Sequence, residues 1–208
     1  MELDEAAGSS YNEDIEKANV TLKKTIYQGW NTITVPFAAE AADFAGEKLY
    51  KFTGDDETEL KFTEATSIEP NVPYLLKATT ATNGVGEFKF NGVTVKAADE
   101  LTITGTNYNF VGTYADLTVA DGDYILGDDA FYRSNGGNHV KAYRAYIQKK
   151  SGDNNARLTI FIDGKATAID TIDGEAIGNA DIYNLAGQKV KSAQKGVYIQ
   201  NGKKFVVK

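Results

Sequence analysis

The chain has 208 residues, no cysteine, one histidine (His139), and 22 Lys+Arg against 29 Asp+Glu, for a formal net charge of −7. Thiolate nucleophiles, iron–sulfur clusters, thiolate zinc sites and disulfides are excluded, as is a multi-histidine metal centre. The acidic balance, with a sequence pI near 4.8, argues against a nucleic-acid-coating role, and no apolar run approaches the ~20 residues of a membrane-spanning helix. Thr, Ile and Val (20, 14 and 13) far outnumber the 11 Leu and single Met. β-Branched side chains keep their rotamer freedom on a pleated surface and lose it in a helix, so this bias favours strands. With 20 Gly marking turns, the expected class is mainly β, antiparallel and sandwich-like, with one short helix.

Residues 1–17 place six acids (Glu2, Asp4, Glu5, Glu13, Asp14, Glu16) ahead of the first base, Lys17. They read as an acidic arm, loose or loosely docked. They contain no basic stretch followed by an apolar run, so they do not read as a secretory signal peptide. Alternation begins at Val20, and Trp30 with Ile33, Val35 and Phe37 reads as a core anchor, because a lone Trp in a β protein usually fills the sheet interior. Ala38–Ala45, closed by Gly46, reads as the short helix. Leu49–Thr53 and Thr58–Glu64 flank a Gly-Asp-Asp-Glu turn and predict a hairpin. Phe88 and Phe90 are joined to Val93 and Val95 through Asn91-Gly92, which predicts a second. Between them Pro73-Tyr74-Leu75-Leu76 reads as a strand begun by a proline. Further strands are expected at Leu101–Thr104, Tyr108–Thr113, Asp123–Leu126, Phe131–Arg133, Val140–Gln148 and Arg157–Ile162.

Residues 166–180 are small and polar and read as a connector between a main β domain (18–165) and a three-strand C-terminal element (181–208) formed by Asp181–Leu185, Lys195–Ile199 and Lys204–Val207. The interval from Gly122 to Phe131, which contains Tyr124-Ile125, echoes Gly196 to Phe205, which contains Tyr198-Ile199. This reads as recurrent turn grammar rather than duplication. Residues 182–208 hold six Lys and no acid, so the tail carries +6 and the rest −13. Lysines guarding edge strands account for such a tail.

Reactive chemistry finds little footing. His139 follows Asn135-Gly-Gly-Asn in a turn, and no Gly-x-Ser-x-Gly elbow accompanies it. Phosphate-binding glycine motifs are lacking, so no cofactor is expected. The acids crowd two turns, Asp55, Asp56, Glu57 and Glu59, then Asp121, Asp123, Asp128 and Asp129. Such turns favour Asp for backbone reasons, although a carboxylate pair is all that a glycosidase needs. The second cluster also offers calcium hard oxygens, without the spacing of a calcium loop. Tyr27, Tyr108, Tyr114, Tyr132, Tyr143 and Tyr146 are numerous enough for a sugar-stacking platform, or else fill half-buried sheet faces. Tyr114, Tyr132 and Tyr143 are the ligand-binding candidates, by their places at a loop, a hairpin and a strand.

Gly29–Phe37 (GWNTITVPF) and Ser67–Ala78 (SIEPNVPYLLKA) resemble a pattern in exported surface proteins of the Bacteroidetes. Asn109–Arg133 and Lys141–Ile147 are similar to the second half of that family. Asp181–Lys208 (DIYNLAGQKV…KGVYIQNGKKFVVK) resembles a shortened type IX secretion sorting domain. The resemblance implies a secreted or cell-surface, adhesin-like protein with no catalytic residues. Its partners would be an extracellular protein or glycan and, through 181–208, the export machinery. It also implies an O-glycosylation site at Thr171, within Asp170-Thr171-Ile172. The function expected is therefore non-catalytic ligand binding, with a carbohydrate-binding module and a carboxylate-pair glycoside hydrolase as alternatives.

Overall fold

A computed structural model describes residues 1–82, 84–127, 129–150, 158–167, 170–172, 182–184, 189–190, 196–200 and 203–207. Strands predominate, and the one helical element among the described residues is a single 3₁₀ turn, which makes the protein mainly β. Two compact units divide it, Met1–Asp173 and Gly174–Lys208.

The first unit holds three sheets. One orders β1 (Glu2–Asp4), β2 (Ile15–Lys24) and β7 (Gly86–Val95). A second runs β14 (Lys165–Ala166), β13 (Thr159–Ile162), β5 (Glu59–Ala65), β4 (Gly46–Asp55), β6 (Tyr74–Ala78), β3 (Gly29–Ile33). The third runs β15 (Asp170–Ile172), β11 (Ala130–Val140), β10 (Leu117–Gly127), β12 (Arg144–Lys149), β9 (Tyr108–Thr113), β8 (Thr102–Thr104). Pairing is antiparallel except for β1–β2, β13–β5 and β11–β15.

Alternation of side chains sorts the apolar residues into two cores. Leu49, Tyr74 and Leu76 of the second sheet meet Leu3, Val20, Leu22 and Phe90 of the first. Tyr50, Phe52, Leu60, Phe62 and Leu75 turn the other way, to Tyr108, Phe110, Tyr124, Phe131 and Ile147 of the third. The arrangement is thus a sandwich with a further layer, and the second sheet lies in the middle. That is why Tyr74-Leu75-Leu76 is a continuous apolar run: a strand covered on both faces has no solvent side to make polar.

Several expectations are corrected. The acidic arm docks closely rather than loosely: β1 adds to β2, and Leu3 and Glu5 are buried. The helix shrinks to one 3₁₀ turn, Ala41–Phe44, whose left-handed closing residue is Ala45 (φ 56°) rather than Gly46. Asn91-Gly92 makes no hairpin, because Phe88–Val95 continues as one strand along β2. Gly92 (φ 66°) and Lys17 (φ 52°) instead take left-handed backbone at two register shifts, so both strands of the ribbon bend together. The predicted strand Val140–Gln148 is broken by a turn in which Tyr143 has φ 59°, since the chain there crosses from the first core to the second. Trp30 is half-buried at the border of the second core, not inside it. The expected connector contains β15, which places Thr171 in an edge strand; 173–180 lies outside the described residues.

In the second unit β16 (Ile182–Asn184), β18 (Gly196–Gln200) and β19 (Lys203–Val207) are joined by β17 (Lys189–Val190), so the sheet has four strands. Its β18–β19 hairpin sets Tyr198 opposite Phe205, whereas the echoing β10–β11 hairpin sets Leu126 opposite Phe131. The two registers differ.

One group of buried charges joins the layers. Glu5 follows β1 and Lys24 ends β2, and both are buried, at 1% and 0% exposure. The Arg144 guanidinium donates to Glu5 Oε2 at 2.8 Å and to the Thr25 carbonyl at 2.8 Å, while Lys141 Nζ lies 3.5 Å from Glu5 Oε1. Burial pushes the Glu5 carboxyl up, but the Arg144 charge leads the groups that outweigh it and hold it below the ordinary range. Lys24 Nζ has no hydrogen-bond partner, and burial, aided by the Arg144 charge, drives its pKa well below the usual lysine value. An unfolded chain therefore binds more protons at Lys24 than the folded one. Stability must rise with pH from the lowered folded value up to the ordinary one of about 10.4. Lys24→Met is expected to leave stability unchanged or raise it by about 1–4 kcal/mol near neutral pH, a gain that shrinks toward pH ~10. Glu5→Gln, which strips Arg144 of its counter-charge, is expected to cost about 3 kcal/mol. Urea unfolding of the variants across that pH range checks both.

Candidate ligand-binding cleft

β3 is the edge strand of the middle sheet, and beside it a cleft of about 680 Å³ opens between that edge and β10, β11 and β12. Tyr27, Trp30 and Asn31 line one side; Leu126, Asp129, His139, Lys141 and Arg144 line the other. A smaller hollow of about 440 Å³ shares Gln28 and Asp129 with it and contains Lys77.

The loop before β3 is held in place by its own side chains. The Asn31 side chain is buried; its Oδ1 accepts from the Tyr27 N–H at 2.9 Å, and its Nδ2 donates to the Tyr27 carbonyl at 2.7 Å. Asp129, at the β10–β11 turn with φ 61°, accepts from the Trp30 N–H. Gly29 (φ 98°) lies so close to that carboxylate that a Cβ there would collide with it, so only glycine lets turn and strand meet. The Tyr27 ring is thereby presented 56% exposed, one of few large apolar groups so exposed among the described residues. Arg144 lies 5.5 Å from its centroid. Trp30 packs at 5.4 Å on Tyr50 and carries Lys77 Nζ 4.6 Å over its ring, so it forms a wall rather than a free stacking face.

The tyrosines singled out in the sequence fall elsewhere. Tyr114 and Tyr143 are buried side by side in the first core, with ring centroids 5.5 Å apart. The Tyr114 hydroxyl donates to Asn71 Oδ1 at 2.7 Å and that of Tyr143 bonds to Ser9. Burial raises the pKa of both phenols. Neither can take a ligand ring: Tyr114, read in the sequence beside a loop, and Tyr143, read on a strand, both turn into the first core. Tyr132 is half-buried on β11, against Gly127. Tyr27 belonged to the wider tyrosine set, and the signal that would have selected it is the Asn31 spacing, four residues on, which lets a side chain clamp the loop's backbone.

The acids are used on backbone. Asp55 accepts from the Thr106 and Asn107 N–H groups at 2.7 and 2.6 Å, Asp56 from Thr58 at 3.2 Å, and Asp123 from Lys149 at 2.8 Å. Burial raises the Asp123 pKa. Asp121 pairs with Arg133, and Asp128 lies outside the described residues. No three metal-binding side chains gather among the described residues. His139 is exposed, with Nδ1 at 2.8 Å from Asp116.

No protein family, curated protein or solved structure matches the chain. The cleft is therefore read from its own chemistry. Asn31→Ala removes both clamps on Tyr27 and is expected to cost about 1–2 kcal/mol. It should also raise amide exchange across residues 25–30, which hydrogen-exchange mass spectrometry would measure.

Proposed function

We propose that this is a non-catalytic ligand-binding β protein whose cleft takes a saccharide, one sugar ring stacking on Tyr27. The observation that carries the reading is Tyr27 itself: a largely exposed aromatic side chain, its backbone clamped by Asn31 and one ring face turned to Arg144, at the mouth of a cleft with polar walls. Aromatic faces bind the apolar faces of sugars because the ring offers area with little conformational entropy to lose, while polar neighbours reach the hydroxyls. Gln28, Thr32 and Lys141 are such neighbours. Asp129 is the single carboxylate among the described lining residues, and it is bonded to the Trp30 N–H. Glycoside hydrolysis ordinarily needs a facing pair, which favours binding over cleavage.

Display outside the cell, in an adhesin-like role, is part of the same proposal. Its support is the resemblance of Gly29–Phe37 to exported surface proteins and of Asp181–Lys208 to a sorting domain. Gly29–Phe37 contains β3, the strand that forms the cleft wall.

Trp30 is the only tryptophan and lines the cleft, so its fluorescence reports occupancy directly. Titration with a panel of oligosaccharides is expected to shift that emission at millimolar concentrations or below for at least one sugar. Tyr27→Ala should weaken that sugar about tenfold, the worth of one stacked ring. Silence across the panel, or equal binding by the variant, counts against the reading.

A further inference from the structure

We infer that the saccharide taken by this cleft is acidic, with a carboxylate or sulfate group held by Arg144 and Lys141 beside the ring on Tyr27. This deepens the saccharide reading and rests on it. Arg144 spends Nη2 on Glu5 and the Thr25 carbonyl. The N–H groups on its Nε and Nη1 have no acceptor among the described residues, although the side chain is only 15% exposed and lines the cleft. A guanidinium held by a buried carboxylate and a backbone carbonyl cannot swing away, so a ligand that reaches it in the cleft meets it at no further ordering cost. Lys141 stands three residues away in the turn that ends β11, half exposed at 50%, with its ammonium 3.5 Å from Glu5. That contact is long enough to leave the ammonium donors for another acceptor.

Charge distribution points the same way. The chain is −7 overall, yet among the described lining residues Lys141 and Arg144 stand with the one carboxylate of Asp129, and Lys77 stands on the Trp30 ring next door, in a hollow it shares with Glu47. Glu5 is shared between Arg144 and Lys141. Two cations thus line the cleft beside one described lining carboxylate, in a chain that is acidic overall. The 5.5 Å between Arg144 and the Tyr27 ring places an anionic substituent and the stacked ring within one sugar unit.

The test uses the full chain, Trp30 emission and matched pairs of probes: oligogalacturonate with its fully methyl-esterified form, and a sulfated heparin oligosaccharide with its desulfated form. In at least one pair the acid is expected to bind about tenfold or more tightly than its neutral partner, and which pair responds tells carboxylate from sulfate. The preference should fall several-fold in Lys141→Gln and in Arg144→Lys, the latter keeping a cation against Glu5 so that the fold survives. Equal binding of acid and neutral partners overturns the charge assignment while leaving saccharide binding in place. Binding by no saccharide at all removes both. A preference undiminished in the two variants means that charge is read elsewhere on the chain, and overturns the site.

Discussion

Tyr74, Leu75 and Leu76 follow one another along β6 with no polar residue among them, and all are buried, the first and third in one core and the second in the other. A strand with two apolar faces needs a sheet against each, so the middle sheet recruits the β1–β2–β7 ribbon on one side and the β8–β12 strands on the other. The covering cannot extend past the last strand. At β3 the middle sheet ends, and the cleft opens between that edge and β10, β11 and β12. The site is thus a consequence of where double burial stops.

The charges beneath that cleft are the second element of design. Glu5 comes from the first sheet's edge and Arg144 from the third sheet, and their ion pair crosses the end of the first core. Taking a carboxylate out of water is costly, and the guanidinium and its hydrogen bonds offset much of that cost without making the pair a strong source of stability. What the pair secures is position: Arg144, held by Glu5 and the Thr25 carbonyl, keeps one heading at the cleft wall. The same logic applies to Asn31 and Asp129, each of which spends its side chain on backbone so that a neighbouring aromatic keeps its place.

Local signals were good guides where the deciding interaction was local. The Gly-Asp-Asp-Glu turn, the proline-begun strand at Tyr74, the strand at Tyr108–Thr113 and the pinning of turn Asp residues to backbone are all present. They misled where a partner strand had the last word. Asn91-Gly92 has the residues of a tight hairpin, yet β2 offers a continuous ladder to both flanks, and a bulge satisfies more backbone groups than a reversal would. Glu5 looked like one acid in a solvated arm, because nothing within a few residues of it tells of Arg144, 139 positions away.

The sequence by itself determined the class, from β-branched composition and alternation, and the absence of thiol chemistry, from the absence of thiols. It also held the set of tyrosines from which the cleft's ring is drawn. Only the tertiary structure decided which of them faces water: Tyr114 and Tyr143 are buried side by side, while Tyr27 stands out beside Arg144. The physical reason is that exposure of a side chain in a layered β protein depends on which sheet lies over its face. That is set by contacts far apart in the chain, whereas strand formation is set by neighbours one and two residues away.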